Sequence, residues 1–469
     1  MQHNALLQTD GYKLTHWRQY PKDTEIVYSY LESRGGMFKN TVQVGLQYYL
    51  KEYLAGQYFT QRDIDEAEEL AAQYFGNPEL FNRKGWEYIL HRHHGKLPLR
   101  IRAIPEGHVV NTHNALMTIE NTDPNVPWLT NYVESLLLKV WYPITVATLS
   151  NEIRQVIGKS LKLSGDSALL PFKLHDFGYR GVSSDESSWI GGFAHLCNFQ
   201  GTDTFGGIQL AARNYGHPIA GFSIPASEHS TITSWGGPDH EAEAMENMLD
   251  SYPKGLVACV SDSYDIDNAV RNIWGDQLRD KVISRNGTLV VRPDSGEPLP
   301  VILRTFDGLW EKFGGETNSK GFRVLAPCVR VIQGDGVNYH SISQIVKGIN
   351  DAGWSMDNLA FGMGGALLQG VNRDTQRFAF KCSAIRRAGV WHDVSKSPKT
   401  DMQKASKGGR FAVSTASGHF VTMKVGDPGL EIKHPIPGDI METVFENGEV
   451  KKEYSLKEIR QRVASYDRF

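Results

Sequence analysis

Short apolar runs in the middle of the chain end repeatedly in acidic, basic or glycine residues. They are Asp176 and Arg180 in FKLHDFGYRG, Asp203 in CNFQGTD, Glu228 and His229 in GFSIPASEHS, and Asp262 and Asp265 in VACVSDSYD. Arg292 and Asp294 in LVVRPDSG, Asp335 in VRVIQGDG and the glycines of GMGGALLQG continue the series. The arginines point to a multiply anionic ligand, because the guanidinium fork matches phosphate oxygens with paired hydrogen bonds. A phosphate ester fits. Gly362, Gly364 and Gly365, followed by the helical composition of Ala366 to Gln369, suit backbone N–H groups cradling one phosphate; the same letters also read as a tight turn. Carboxylates beside phosphate hold Mg²⁺ or sugar hydroxyls. Asp294 and Asp335 have that chemistry, although Asp-Ser-Gly and Gly-Asp-Gly are turn sequences too. His229, beside Glu228, is of a type to serve as general acid or base, phosphate donor or nucleophile, or as a satisfied structural histidine.

These clusters need a scaffold that brings them to one place. The runs end at His175, Gly201, Ser227, Ser261, Arg292, Gln333 and Phe361, with separations of 26, 26, 34, 31, 41 and 28 residues. A parallel crossover takes about 30 residues for strand, helix and loops. The spacing therefore predicts seven parallel strands with intervening helices, an α/β barrel whose chemistry gathers where the strands end. Around it, residues 1–150 mix strand-like Ile26 to Leu31 and Leu97 to Ile104 with a helical stretch from Gln61 to Tyr74. After Asp374 the pattern turns to β-rich alternation at Phe378 to Ile385, Arg410 to Ser414 and His419 to Lys424, with a last helix at Leu456 to Ala464. We read 151–374 as the catalytic barrel. Residues 1–150 and 375–469 are read as the two parts of one flanking α+β domain.

Composition sets the outer limits. Of 469 residues, 50 are Lys or Arg and 53 Asp or Glu, a net charge of −3, so no overall basic field invites nucleic acid or an anionic membrane. Cys197, Cys259, Cys328 and Cys382 lie far apart and read as reduced thiols rather than zinc or redox pairs. No run reaches the length of a membrane span and the start lacks a secretory pattern, so the expected location is cytoplasmic. The triplet His91, His93 and His94 reads as a solvated loop rather than a metal site. The basic stretch Lys396, Lys399, Lys404, Lys407 and Arg410 reads as a solvated segment, with closure over a polyphosphate as the alternative.

The wording of these clusters resembles the nicotinamide phosphoribosyltransferase family, itself related to the nicotinate enzymes. The resemblance rests on TDGYKLTHWRQYP (9–21), NTDPNVPWLTNYVE (121–134), WYPITVAT (141–148), HDFGYRGVSS (175–184), FQGTDT (199–204), EHSTITSWG (228–236), SDSYDI (261–266), RPDSG (292–296), VIQGDGV (331–337) and FGMGGALLQGVNRD (361–374). It implies an irregular α/β barrel with a flanking α+β domain. It implies transfer of phosphoribose from 5-phosphoribosyl 1-diphosphate to nicotinamide for NAD synthesis, with Mg²⁺, with ATP as co-substrate, and in homodimers with shared sites. By resemblance, Phe177 stacks on the nicotinamide ring and Tyr12 covers its other face from the second subunit. Arg180 grips phosphate and Asp203 accepts from the carboxamide. Arg292 and Asp294 bind phosphate and ribose beside Gly334 and Asp335, and Gly365 and Arg373 complete the phosphate site, Arg373 from the second subunit. His229 is the phosphorylated residue, and it joins Arg180 and Arg292 at the diphosphate. Arg34 and Lys381 match phosphate-contacting positions. A carboxylate at 203 favours nicotinamide over nicotinate, since burying like charges together is costly. Two positions depart from the family pattern: Gly11 and Met363 stand where serine is usual. Nicotinate phosphoribosyltransferase activity and a non-catalytic signalling role are the alternatives.

Overall fold

A computed structural model describes residues 4–397, 405–416, 418–426 and 436–469. The chain divides into two compact units. One comprises Leu149–Arg213, His217–Val371 and Ala464–Phe469; the other comprises Met1–Thr148, Asn214–Gly216 and Asn372–Val463.

The first unit is built on a six-stranded parallel sheet. Its strands are β1 (Leu174–Asp176), β2 (Gly201–Thr202), β3 (Lys254–Val260), β4 (Asn286–Arg292), β5 (Val329–Gln333) and β6 (Leu359–Met363), in the order β2-β1-β6-β5-β4-β3. Residues such as Val257 to Val260 and Leu289 to Val291 are buried in succession, as strands covered on both faces require. Ala258, Val290 and Ile332, from three adjacent strands, meet inside the curl, and Phe177, Ile224 and Ala360 pack against them.

The crossovers are helical for local reasons. Helix Asp185–Leu196 starts at Ser184, whose hydroxyl accepts from the Ser187 N–H; such a cap is worth about 1 kcal/mol. Helix Pro298–Phe313 begins on a proline, which needs no N–H partner in the first turn. Helix Tyr339–Asp351 is capped by Asn338 and buries Ile342, Ile345, Val346 and Ile349, the spacing of one apolar face. Burying each of those isoleucines fully stabilises by roughly 1.5–3 kcal/mol.

Six strands, not seven, form this sheet. The run that ends at Ser227 is extended but makes only an isolated parallel bridge on each side, Gly201 with Phe222 and Ala226 with Ala258. Pro225 has no N–H to give a ladder, and its carbonyl accepts from the Ala258 N–H at 2.9 Å. The segment 222–226 thus runs between β2 and β3, the two edges of the curled sheet.

The second unit holds a seven-stranded antiparallel sheet with strands from both parts of the chain. Its order is Val390–Asp393, Phe378–Arg387, Thr24–Ser33, Ala115–Asn121, Leu99–Ala103, Glu442–Glu446 and Glu449–Val450. Helix Gln61–Phe75 and the hairpin Arg410–Ala416 with His419–Val425 lie where the sequence pattern places them. The triplet at 91–94 is no loop: His91 and His93 occupy the last turn of helix Arg83–His93, and His94 ends it in a left-handed conformation. Basic groups are favoured at that helix end, and the His93 ring lies 2.7 Å from the Asp123 carboxylate. Of the basic stretch, Lys399 and Lys404 lie outside the described residues. Lys407 pairs with Glu32, and the Arg410 guanidinium stacks 4.3 Å over Trp391.

Candidate active site at the mouth of the curled sheet

The carboxyl ends of the strands surround a cavity of about 540 Å³. Phe177, Arg180, Asp203, His229, Arg292, Asp294 and Gly334 all line it, although up to 157 residues separate them in sequence. Its floor is apolar, with Ile224, Ala258 and Ile332. Its walls are charged.

Phe177 follows β1 directly, and its N–H donates to the Met363 carbonyl at 3.0 Å. The ring lies where two glycines leave space. A Cβ on Gly362 would sit 1.8 Å from the ring, and one on Gly334 3.7 Å from it. The loop behind the ring is tied by the fully buried Asp176, which accepts from the Gly178 N–H at 2.7 Å and the Thr202 hydroxyl at 3.3 Å. Burial raises the Asp176 carboxyl above its ordinary value. The Asp176 carbonyl also accepts from the Asp203 N–H at 2.9 Å, so one short element sets both the aromatic face and the neighbouring carboxylate. His175, half-buried at a centroid distance of 6.2 Å from Phe177, is pushed down to about 4 by burial, so it stands neutral beside the ring.

Asp203 is exposed at the mouth, and its carboxylate accepts from the Ser223 hydroxyl. Just beyond the segment 222–226, His229 opens a short helix, with its Nε2 3.2 Å from Asp262 Oδ1. The other Asp262 oxygen accepts from the Asp294 N–H at 2.8 Å and from the Ser295 hydroxyl. Asp262 therefore fixes the histidine ring and the RPDSG turn together. Arg292 ends β4 with its guanidinium 3.8 Å from the Asp294 carboxylate. A Cβ on Gly334 would lie 3.2 Å from Asp294 Oδ1, so glycine there gives that carboxylate room.

Other expected residues lie off the cavity wall. Asp335 is exposed on the next loop, where the Gln333 side chain donates to its carbonyl at 2.8 Å. Gly365 backs the Arg180 turn, and a Cβ on Gly181 would fall 2.8 Å from its Cα. Met363 is the last residue of β6 and only 1% exposed, so this position holds a core side chain and presents nothing to a phosphate.

Tyr12 and Arg373 belong to the other unit. Tyr12 is 59% exposed, with His16 against its edge at 4.9 Å. The neighbouring Gly11 leaves room for Tyr74, whose ring carbon would be 3.0 Å from a Cβ there. Arg373, Arg34 and Lys381 are brought together, with Arg377 and Lys396, in a cleft of about 1070 Å³ within that unit. Burial lowers the Lys381 amine below its ordinary value.

Sequence reasoning missed Ser223, and it assigned no role to Asp262 or Asp176. The signal for Ser223 was its place in the run GFSIPASEHS, one extended stretch before His229. The mouth as a whole can hold a flat ring on Phe177, offer an acceptor to its polar edge, and bind phosphate between arginines.

Comparison with known proteins gives consistent matches. Residues 172–449 match the model of the nicotinate phosphoribosyltransferase family, and residues 4–101 match the N-terminal domain of nicotinamide phosphoribosyltransferase. A nicotinamide phosphoribosyltransferase of Xanthomonas campestris is 49% identical over 97% of each chain. Another from Acinetobacter baylyi is 30% identical over 98% of this chain and 97% of its own. Among solved structures, nicotinate-nucleotide pyrophosphorylase of Pyrococcus furiosus has a TM-score of 0.61 at 16% identity, covering 98% of this chain and 95% of that one. Human nicotinic acid phosphoribosyltransferase has 0.58 at 15%, covering 98% and 93%. At those identities the structures are alike in fold.

Proposed function

The chain belongs to the nicotinate phosphoribosyltransferase family, within its nicotinamide phosphoribosyltransferase branch, and from that membership we propose how the barrel mouth does its work. The protein is a pentosyltransferase of NAD biosynthesis: it joins nicotinamide to 5-phosphoribosyl 1-diphosphate, giving nicotinamide mononucleotide and diphosphate. The observation that carries the site reading is the convergence of Phe177, Arg180, Asp203, Arg292 and Asp294 on one cavity.

Nicotinamide lies on the Phe177 ring with its carboxamide N–H₂ donating to Asp203, itself held by Ser223. Arg180 and Arg292 hold the phosphates of the sugar donor, and Asp294 accepts from the ribose hydroxyls, with Gly334 and Asp335 alongside. The C1′–oxygen bond to diphosphate breaks as the pyridine nitrogen forms its bond to C1′ from the opposite face. Arginines fixed where the leaving charge develops lower that barrier, and a ring already aligned saves the entropy of orientation. Gly365 keeps the Arg180 turn close to the glycine loop.

Mg²⁺ fits a site of this kind, because it takes few protein carboxylates and completes its shell from substrate phosphates and water. Asp294 on the cavity wall is the residue to hold it, and the ion would supply charge neutralisation at the leaving diphosphate. His229, oriented by Asp262, is the acceptor of a phosphoryl group from ATP. The cleft of Arg34, Arg373 and Lys381, together with the exposed Tyr12, is what one copy of the chain lends to the mouth of another in a homodimer. The segment 222–226 serves as the seventh stave of an irregular barrel. None of the four cysteines is in a disulfide, which suits a reducing cytoplasm.

The test is a competition assay. Purified protein receives labelled nicotinamide and nicotinate in equal amounts with the sugar donor and Mg²⁺. Nicotinamide mononucleotide as the main product supports the reading, and nicotinate mononucleotide as the main product overturns the role of Asp203.

A further inference from the structure

Gly11 departs from the family pattern, and its own conformation does not account for the departure. Its backbone lies outside the left-handed region, so the local geometry accepts any residue. What decides the residue is the space beside it. A Cβ built there would fall 3.0 Å from Tyr74 Cε1, 3.1 Å from the Tyr74 hydroxyl and 3.2 Å from Cζ. Ordinary carbon contacts lie at about 3.5–4.0 Å. The phenol of Tyr74 therefore rests directly on the backbone of Gly11.

The segment around Gly11 is held differently on its two sides. On one side the Thr9 hydroxyl donates to the Tyr132 carbonyl at 3.0 Å, and the Ser135 hydroxyl donates to the Asp10 carboxylate. The buried Lys13 amine donates there too, to the Asn131 carbonyl at 2.9 Å and to Glu134 at 2.7 Å. Asp10, engaged with Ser135, gives no side-chain cap to the helix Gly11–Arg18. Gly11 and Tyr12 lie between these anchors. On the other side stands Tyr74, in the last turn of helix Gln61–Phe75, with the edge of the Phe75 ring at 4.8 Å. That helix is tied to the chain start by the Asn4 side chain, which donates to the Asp63 carbonyl at 2.8 Å. Tyr74 is 71% exposed, so its ring buries too little surface to serve the core.

We propose that Tyr74 is a positioning residue for Tyr12: seated on Gly11, its ring fixes the start of helix Gly11–Arg18 and with it the direction in which Tyr12 meets the nicotinamide held by a second copy. The inference rests on the reading of Tyr12 given above. Glycine at 11 and tyrosine at 74 are one device, because a side chain at 11 and the ring at 74 compete for the same space. A glycine backbone is the least restricted of all, so without the ring Gly11 turns more freely and Tyr12 moves with it.

Steady-state kinetics of nicotinamide mononucleotide synthesis decides it. Tyr74→Ala is expected to raise the KM for nicotinamide about fivefold, with the KM for the sugar donor and the melting temperature nearly unchanged. Tyr74→Phe keeps the ring and is expected to stay within about twofold of the unaltered protein. Gly11→Ser is expected to raise the same KM, and Gly11→Ser/Tyr74→Ala to be no worse than the poorer single variant, since both substitutions break one contact. In a Tyr12→Ala background, where the KM for nicotinamide is already raised, Tyr74→Ala is expected to add nothing. An unchanged KM in Tyr74→Ala, or its full effect without Tyr12, overturns the proposal and leaves the reading of Tyr12 standing. A loss shared equally by both KM values marks a structural role only and overturns it as well. An unchanged KM in Tyr12→Ala overturns the reading of Tyr12 and the proposal with it. If Tyr74→Ala fails to fold, Gly11→Ser is compared with and without Tyr12 instead; loss of its effect in the Tyr12→Ala background supports the proposal, and additive effects refute it.

Discussion

Replacing Asp203 by asparagine removes the charge that tells the two pyridine bases apart while keeping an acceptor for the carboxamide. Asp203 lines the mouth beside Phe177, its backbone fixed by the Asp176 carbonyl and its side chain by Ser223. A nicotinate carboxylate in the place of the carboxamide would face it at hydrogen-bond range. Two unit charges about 4 Å apart repel by about 1 kcal/mol in water and by about 4 kcal/mol at an effective dielectric constant of 20. Asp203 is exposed in the free protein, and a bound base on an apolar floor displaces water, so the true cost falls between those limits. The preference for nicotinamide over nicotinate, as the ratio of the two kcat/KM values, should therefore fall by about 5-fold to 1000-fold in Asp203→Asn. Most of the change should come from faster use of nicotinate. The assay is initial-rate kinetics with each base at saturating sugar donor. A ratio that stays within twofold of the unaltered protein would refute electrostatic exclusion by Asp203.

Other substitutions test other parts of the mouth. His229→Ala should retain slow synthesis but lose stimulation by ATP, and stimulation that persists would reject His229 as phosphoryl acceptor. Gly362→Ala places a methyl group 1.8 Å from the present position of the Phe177 ring, so the ring must turn away. The KM for nicotinamide should then rise about tenfold, with the KM for the sugar donor nearly unchanged; equal effects on both would indicate general damage. His175, held down to about 4 against an ordinary 6.5, makes stability depend on pH. Between those values the unfolded chain takes up a proton that the native ring excludes, so this contribution is full above about pH 6.5 and is lost as pH falls to about 4. At most about 3 kcal/mol is involved. Urea midpoints of the unaltered protein and His175→Asn should converge on acidification, and parallel pH profiles would contradict the assignment.

Much of this molecule was legible in its residues. Six of the strand ends, from His175 to Phe361, were visible because buried parallel strands are apolar along their length and stop in polar clusters. The Ser227 run looked the same in composition. Pro225 made the difference, by withholding one N–H and leaving two isolated bridges in place of a ladder. His91, His93 and His94 read as loop because their polarity hid a helix end, where position along the helix rather than apolarity decides. At the mouth, charged residues announced themselves by type. The residues that place them showed less: Ser223 stood in the run before His229 and Gly362 read as part of a phosphate cradle, and only the fold sets them against Asp203 and Phe177. Met363 shows the same limit, since one register position, opposite Asp176, puts it in the core.

A crystal structure with nicotinamide mononucleotide and diphosphate tests the central claim most directly. The account predicts the pyridine ring stacked on Phe177, its amide nitrogen within hydrogen-bond distance of the Asp203 carboxylate, phosphate oxygens on Arg180 and Arg292, and Tyr12 of a second copy over the free face. A nucleotide bound elsewhere, or bound at the mouth with its ring away from Phe177 and Asp203, would contradict it.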